Sequence, residues 1–329
     1  MKLRLAQLGR WHVHTLEHVE AARANPHCSI SFLWDSDPVE GASFAKLHGL
    51  EFIGDLESLL GRADVDAVVV DTATAEHPHV IGSALRAGKH VFTEKVLATT
   101  VDDVEQLIAL AKTSDRVLRV SLQRLIEAPI RTAKALVDKG SIGQITGLHV
   151  RYAHHGAIGH PWIPAHFFDK AQAGGGALID LGAHPIYLSM LFTGEEPTSI
   201  SANIAYNTQL EVEDNVNALM TFPGGALSVI EASFVASFFG YSIQLTGTSG
   251  SIVVGPENYD VRLRQAADEE WVVQELEPAL PSTFDQFVDV VRGRLPNDEH
   301  LRLVRVMTEV MVAGYLSAQT GERISITGV

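Results

Sequence analysis

Strand-like and helix-like hydrophobic patterns follow one another along the chain, and their order changes once. Residues 2–8 alternate as a strand that Gly9 breaks. Further strand patterns at 30–34, 52–53, 67–71, 90–93 and 117–121 are separated by helical patterns at 13–24, 38–48, 56–60, 78–87 and 100–113. Strands alternating with helices predict a parallel sheet covered by helices on both faces. Residues 66–71 (Asp-Ala-Val-Val-Val-Asp) are almost unbroken apolar in the middle, as a doubly covered central strand should be.

After Gln123-Arg124, which reads as a crossover, the pattern changes. A helix at 128–139 leads to Gly140, residues 145–152 alternate as a strand, and strands dominate 198–265. Pro223-Gly224-Gly225 is expected as a hairpin turn between 217–222 and 226–234, and 247–250 as another turn. Amphipathic helices at 282–292 and 298–318 close the chain. The expected domains are 1–122 and 123–329. A sheet covered by helices on one face leaves an apolar face to bury, so a homo-oligomer, a dimer or tetramer, is expected.

Composition narrows the class. A net charge of -15 at pH 7 with scattered basic residues argues against nucleic acid and anionic membrane as partners. A polar or neutral small molecule suits it better. No run of about 18 apolar residues is available for a membrane span. The single cysteine, Cys28, excludes an internal disulfide. With no apolar leader after Met1-Lys2, a cytoplasmic location is expected.

The first strand, turn and helix are where a dinucleotide pyrophosphate would sit. The six fingerprint positions are Gly9-Arg10-Trp11-His12-Val13-His14, and only the first glycine is kept. Trp11 stands where a second glycine would let backbone approach the phosphate. Arg10 is the candidate that compensates, as a phosphate donor; the alternative for Trp11 and His12 is a capped, packed turn without ligand. Asp35 ends the second strand, where an acid can hydrogen-bond a ribose 2′-hydroxyl. Asp37 follows, without Arg or Lys, so NAD is favoured over NADP. Glu94 and Lys95 close the fifth strand, and Thr72 and His77 lie after the fourth, at the same carboxyl edge. The cofactor-binding candidates are therefore Gly9, Arg10, Trp11, His12, Asp35, Thr72, His77, Glu94 and Lys95.

In the second half, Gly174-Gly175-Gly176 runs into a segment carrying Asp180 and His184. On one helix, residues four apart share a face, so a carboxylate and an imidazole would stand together for proton transfer. The glycines would let a ligand or another backbone come close. Pro185 is expected to bend the helix just there. A loop holds His154, His155, His160 and His166 with Trp162, Phe167 and Phe168. No acidic or cysteine ligand stands at a zinc spacing from these histidines, so no metal is assigned. His154, His155, Trp162 and His166, with Asp180, are instead expected to line a substrate site.

Several ordered blocks carry a resemblance to a known family. Residues 87–95 (Ala-Gly-Lys-His-Val-Phe-Thr-Glu-Lys) resemble the A-G-K-H-V-x-x-E-K-P element of the Gfo/Idh/MocA family of NAD(P)-dependent sugar and inositol oxidoreductases. Residues 140–145 resemble its G-x-I-G-x-I turn, and 174–184 its G-G-G-x-L-x-D-x-G-x-H block. Glu213-Asp214-Asn215 and residues 247–251 match later elements. The resemblance implies an α/β fold: an N-terminal Rossmann domain with a doubly wound parallel sheet, then a C-terminal α/β domain with a large open, mostly antiparallel sheet. It also implies a catalytic set of Lys95, Asp180 and His184. Val96 stands where the family has proline, so the cis peptide often found there is not expected. The implied function is hydride transfer between NAD and a secondary hydroxyl or ketone of a sugar, cyclitol or related polyol. The rivals are an NAD-assisted glycoside hydrolase or lyase and a nucleotide sensor on the same fold.

Overall fold

The computed structural model describes residues 2–237, 240–255, 259–267 and 270–326. The chain forms two compact units, each with its own sheet. The first comprises Met1–Ser121 with Ala171–Ala173 and Pro281–Arg305; the second comprises Leu122–Lys170, Gly174–Leu280 and Val306–Val329.

The first unit alternates strand and helix: β1 (Leu3–Leu8), α1 (Thr15–Ala24), β2 (Cys28–Trp34), α2 (Pro38–Leu47), β3 (Glu51–Phe52), α3 (Leu56–Leu60), β4 (Ala67–Val70), α4 (His77–Arg86), β5 (His90–Thr93), α5 (Val101–Thr113) and β6 (Leu118–Val120). The sheet order is β3-β2-β1-β4-β5-β6, all parallel. The order reverses between β1 and β4, and ligands of such sheets bind at the carboxyl ends beside that point. Every residue of β4 is 0% exposed, which explains its valine run. Helix starts follow local chemistry: Asp37 accepts from Val39 N and Glu40 N ahead of Pro38, and Thr100 accepts from Asp103 N.

One feature of this unit has no sequence signal. Residues 281–305 join it, and α10 (Thr283–Val291) packs Phe284 and Phe287 against Phe92, at 5.5 and 5.7 Å between ring centroids. His300 accepts a hydrogen bond at Nε2 from Val120 N at 3.3 Å. Burial, then the charge of Arg119, pushes its pKa down to about 3. The unfolded chain binds this proton first, near pH 6.5, so stability is full above that pH and falls as pH drops towards 3. We therefore expect urea-unfolding midpoints of the wild type to fall between pH 7 and pH 4. His300→Gln should recover on the order of 1 kcal/mol of that loss.

The second unit contains α6 (Ala128–Asp138), β7 (Ile145–Ala153), α8 (Ala177–Asp180), α9 (Ala183–Thr193), β8 (Ser199–Ala205), β9 (Asn215–Thr221), β10 (Leu227–Ser233), β11 (Tyr241–Gly247), β12 (Gly250–Val254), β13 (Val261–Gln265), β14 (Val272–Val273) and β15 (Ile324–Ser325). A short helix, α7 (Lys170–Ala173), lies at the division between the units, and α11 (Asp298–Thr320) is divided after Arg305. The sheet order is β14-β13-β12-β11-β7-β10-β9-β8-β15, antiparallel except for the β7/β10 pair. Helices α6 and α9 pack on this sheet, and α9 buries nearly its whole circumference. Along β9 and β10 burial alternates, leaving Leu219, Leu227 and Val229 exposed with Leu219 paired to Val229. Among the described residues, no helix is long and apolar enough to cross a membrane.

The single helix expected through Asp180 and His184 is two helices. Leu181 N and Gly182 N both donate to Ala177 O, closing α8, and α9 starts afresh at Ala183. The break precedes Pro185, which sits in the first turn of α9, where its missing N–H costs no helical bond. Asp180 and His184 therefore end one helix and begin the next, and do not share a helical face.

Candidate active site

In the first unit the turn after β1 is built on Gly9. Its φ is +83°, and a Cβ there would lie 2.6 Å from Thr72 Cγ2 and 2.8 Å from Thr72 Cα. Thr72 is thus the buried floor of the turn. Trp11 N and His12 N donate to Asp71 O at 2.9 and 3.2 Å, and the Trp11 indole donates to Gln172 Oε1 at 3.0 Å. Helix α1 follows, its N-terminal amides and dipole suited to an anion.

Arg10 pairs with acids in the same unit. Its guanidinium lies 3.9 Å from Asp35 and 3.4 Å from Glu40, so it pairs with acids near the end of β2. Asp35 is 8% exposed, and its Oδ1 accepts from Asp37 N at 2.7 Å. Burial pushes its carboxyl pKa up, against the pull of the Asp37 amide and Arg10. A cavity of about 570 Å³ adjoins it, lined among others by Trp34, Ser36, Leu56, Ala75, Glu76 and His79.

Behind the turn lies a buried charge network. The His18 ring is held between Asp71, with Nδ1 at 3.0 Å from Oδ2, and Glu94, with Nε2 at 3.2 Å from Oε1. Burial favours neutral His18, but the two carboxylates outweigh it and raise the pKa to about 10. At His12 burial outweighs the charge of Glu94 and lowers the pKa to about 4. Glu94 is held well below the usual carboxylate range, because the surrounding histidines overcome the cost of its burial. Its Oε2 accepts from Lys95 N at 3.1 Å, which ties the backbone of Lys95 to the network. His77 is also internal: its Nδ1 donates to Val96 O at 3.0 Å. The Lys95–Val96 peptide is cis, contrary to the trans bond expected without proline. Contacts from the surrounding chain, including His77 on Val96 O, hold this turn where no prolyl ring is present.

In the second unit His184 lies in the first turn of α9 and is 8% exposed. Its Nδ1 is 2.7 Å from the hydroxyl of Tyr187, one helical turn on. Tyr187 is fully buried and also accepts from Arg124 N at 3.3 Å. Burial raises its pKa well above the ordinary value, so it remains a neutral phenol. The Tyr152 ring lies 4.6 Å from the His184 ring, and the Arg124 guanidinium bonds the Tyr152 hydroxyl and pairs with Glu127. With Nδ1 committed to Tyr187, the chemistry of the imidazole falls to Nε2. Tyr187→Phe is expected to lower kcat by about tenfold through lost ring orientation, the loss of one hydrogen bond. The Michaelis constant for NAD should stay unchanged, and steady-state kinetics checks both.

The glycines before Asp180 have a packing cause. A Cβ on Gly176 would strike the backbone of Glu213, and one on Gly175 the hydroxyl of Tyr315. The buried Glu213 carboxylate accepts on Oε1 from Gly176 N, Leu178 N and Tyr315 Oη at 3.0, 3.0 and 2.7 Å. It caps α8 and sets where Asp180 stands. The Glu213 backbone fills the space beside Gly176, and the Tyr315 side chain that beside Gly175.

The histidine loop does not gather its imidazoles. His154 packs between Trp162 and Phe234, at 4.8 and 5.5 Å between rings, and its Nδ1 accepts from Gly156 N. His155 and His160 are exposed, as is Trp162 at 54%, and His166 is half-buried. Tyr187, Tyr152 and Arg124 are absent from the sequence-based candidates. The signal for Tyr187 was its position three residues after His184, on the same helical face.

Comparison with known proteins bears on both units. Residues 9–122 match the family model described as the oxidoreductase family with an NAD-binding Rossmann fold, and residues 130–253 match the GFO/IDH/MocA C-terminal domain. The dTDP-3,4-didehydro-2,6-dideoxy-alpha-D-glucose 3-reductase of Streptomyces antibioticus is 28% identical over 252 residues, covering 76% of this chain and 75% of that protein. The 1,5-anhydro-D-fructose reductase of Ensifer adhaerens is 28% identical over 221 residues, covering 65% of this chain and 64% of that protein. A solved NAD-binding protein from Listeria innocua shares the fold at a TM-score of 0.86 and 24% identity, over 100% of this chain and 98% of that one. The chain belongs to the GFO/IDH/MocA oxidoreductase family, and residues 9–122 are its NAD-binding Rossmann domain.

Proposed function

We propose that this oxidoreductase exchanges a hydride between NAD and a secondary hydroxyl or ketone of a sugar, cyclitol or related polyol. One observation carries the reading. In the first unit, the cofactor turn and Lys95 occupy the same carboxyl edge of the sheet, flanking β4, and both are tied to Glu94, through His14 and the Lys95 amide. The residues fit the cofactor: the positive φ of Gly9, the α1 N-terminus, Asp35 and the adjoining cavity suit a pyrophosphate, a ribose and an adenine in turn. The acids Asp55 and Glu76 that line the cavity, with Asp35 beside it, favour NAD over NADP.

When bound, NAD supplies the hydride acceptor or donor. His184 Nε2 takes the proton of the substrate hydroxyl as general base, with Tyr187 holding Nδ1. Lys95 donates to the same oxygen and stabilises the negative charge that develops on it. Asp180 binds a neighbouring hydroxyl, and His154, His155, Trp162 and His166 line the substrate loop. The two reductases named above support a sugar-type substrate. The exposed Leu219, Leu227 and Val229 face supports pairing with a second copy of the chain.

The test is NADH release from NAD on a panel of sugars, cyclitols and linear polyols. Release with at least one substrate class is expected; NAD binding without release from any would overturn the reading. Asp35→Ser should weaken NAD by roughly tenfold, the loss of about 1.4 kcal/mol of ribose contact. It should strengthen NADP, because Arg10 loses one of its two acidic partners and can meet a 2′-phosphate. Kd values for both cofactors check this.

A further inference from the structure

The charge network behind the cofactor turn contains more donors than a proton relay needs. His14 Nδ1 lies 3.2 Å from Glu94 Oε1, and with a ring nitrogen of His12 these donor atoms all fall within 4.8 Å of one another. We propose that His12, His14 and Glu94 form a site for one divalent transition-metal ion, zinc(II) in the first instance.

Donor chemistry selects the class of ion. Two imidazoles and one carboxylate suit zinc and its first-row neighbours, whereas magnesium and calcium take oxygen donors. Spacing agrees: two donors about 2.1 Å from a tetrahedral ion stand roughly 3.4 Å apart, close to the His14–Glu94 separation. The His12 and His14 rings are already neighbours, with centroids 4.7 Å apart.

The surroundings hold the carboxylate ready. Glu94 is 2% exposed, and Lys95 N anchors its Oε2 while His18 Nε2 lies 3.2 Å from Oε1. His18 is backed in turn by Asp71, which Gln7 Nε2 also bonds at 2.9 Å. Metal ligands are commonly oriented by such an outer layer of carboxylate and imidazole. Two buried carboxylates, Asp71 and Glu94, thus flank the His18 ring behind the three donors. His14, with 29% of its side chain exposed, provides the way in. Three protein donors leave coordination positions for water or an anionic ligand. The site shares His12 and Glu94 with the cofactor-binding candidates, but loading it requires no bound NAD, so its test is separate from that of the proposed reaction.

Full-length protein is stripped with a chelator, dialysed against zinc(II) alone without NAD, and analysed for metal. One zinc per chain is expected in the wild type and in Asp35→Ser, whose cofactor affinity is impaired. His14→Ala, at a partly exposed position, should lose at least about 100-fold in zinc affinity while keeping its circular dichroism spectrum. His14→Cys should restore binding. Cobalt(II) in place of zinc should give a visible ligand-field band that His14→Ala lacks. Wild-type zinc far below one per chain would overturn the site, as would equal zinc in wild type and His14→Ala, or displacement of zinc by magnesium.

Discussion

Lys95→Met is expected to lower kcat by about 10³-fold with little change in NAD affinity. Lys95 follows β5 and is 8% exposed, and its backbone amide is fixed by Glu94 at 3.1 Å. Methionine keeps the length and apolar stem of the side chain but removes the charge. What is lost is the donor to an oxygen that gains negative charge only as its proton leaves. An interaction made mainly in the transition state lowers kcat and kcat/KM together, without a matching loss of ground-state binding. Arginine should not rescue it, because a planar fork cannot take the place of a compact ammonium group. Steady-state rates and calorimetric NAD binding on one preparation separate the two effects. Equal losses in both would make Lys95 a structural residue.

Gly9→Ala should weaken NAD by at least about 100-fold and lower the unfolding temperature. The residue has φ of +83°, a region that costs an L-residue about 1–2 kcal/mol. A Cβ would also meet Thr72 Cγ2 at 2.6 Å and Thr72 Cα at 2.8 Å. Trimming Thr72 to alanine removes the first clash but leaves the second, which is backbone. The double variant should therefore recover little. The strand must shift from β4, and the amides of Trp11 and His12 then lose their common acceptor, Asp71 O. Isothermal calorimetry and thermal unfolding of both variants check the two effects.

The legibility of the fold follows physical lines. The first sheet could be read because its signals are local: the valine run of β4 is continuous because both faces are covered, and Asp37-Pro38 is a cap written in adjacent residues. Helix α1 begins at Thr15, two residues later than its apolar pattern suggests, because His12 and His14 bend back into the turn. The return of residues 281–305 to the first unit was invisible, since Phe284 and Phe287 find Phe92 only through tertiary packing. The break at Leu181–Gly182 was missed for a similar reason. Glu213, far along the chain, fixes where α8 starts, and at its end Gly182 lies too close to Leu178 O to carry a side chain. The ion pairs of Arg10 were not legible, because Asp35 and Glu40 lie well beyond it in the chain. His18 lies inside the 13–24 helical pattern, and its partners Asp71 and Glu94 are more than fifty positions away, so nothing local marks its place in the network.

The proposed mechanism has Lys95 and His184 act on one substrate oxygen. Single-turnover formation of NADH from saturating NAD, with the best substrate of the polyol panel, tests it most directly in wild type, Lys95→Met, His184→Ala and the double variant. All four should bind NAD alike. Each single variant should slow NADH formation by about 10²–10⁴-fold, and the double variant should be barely slower than the worse single one, as for groups acting as a unit. Wild-type rates in either single variant, or losses that simply multiply in the double variant, would contradict it.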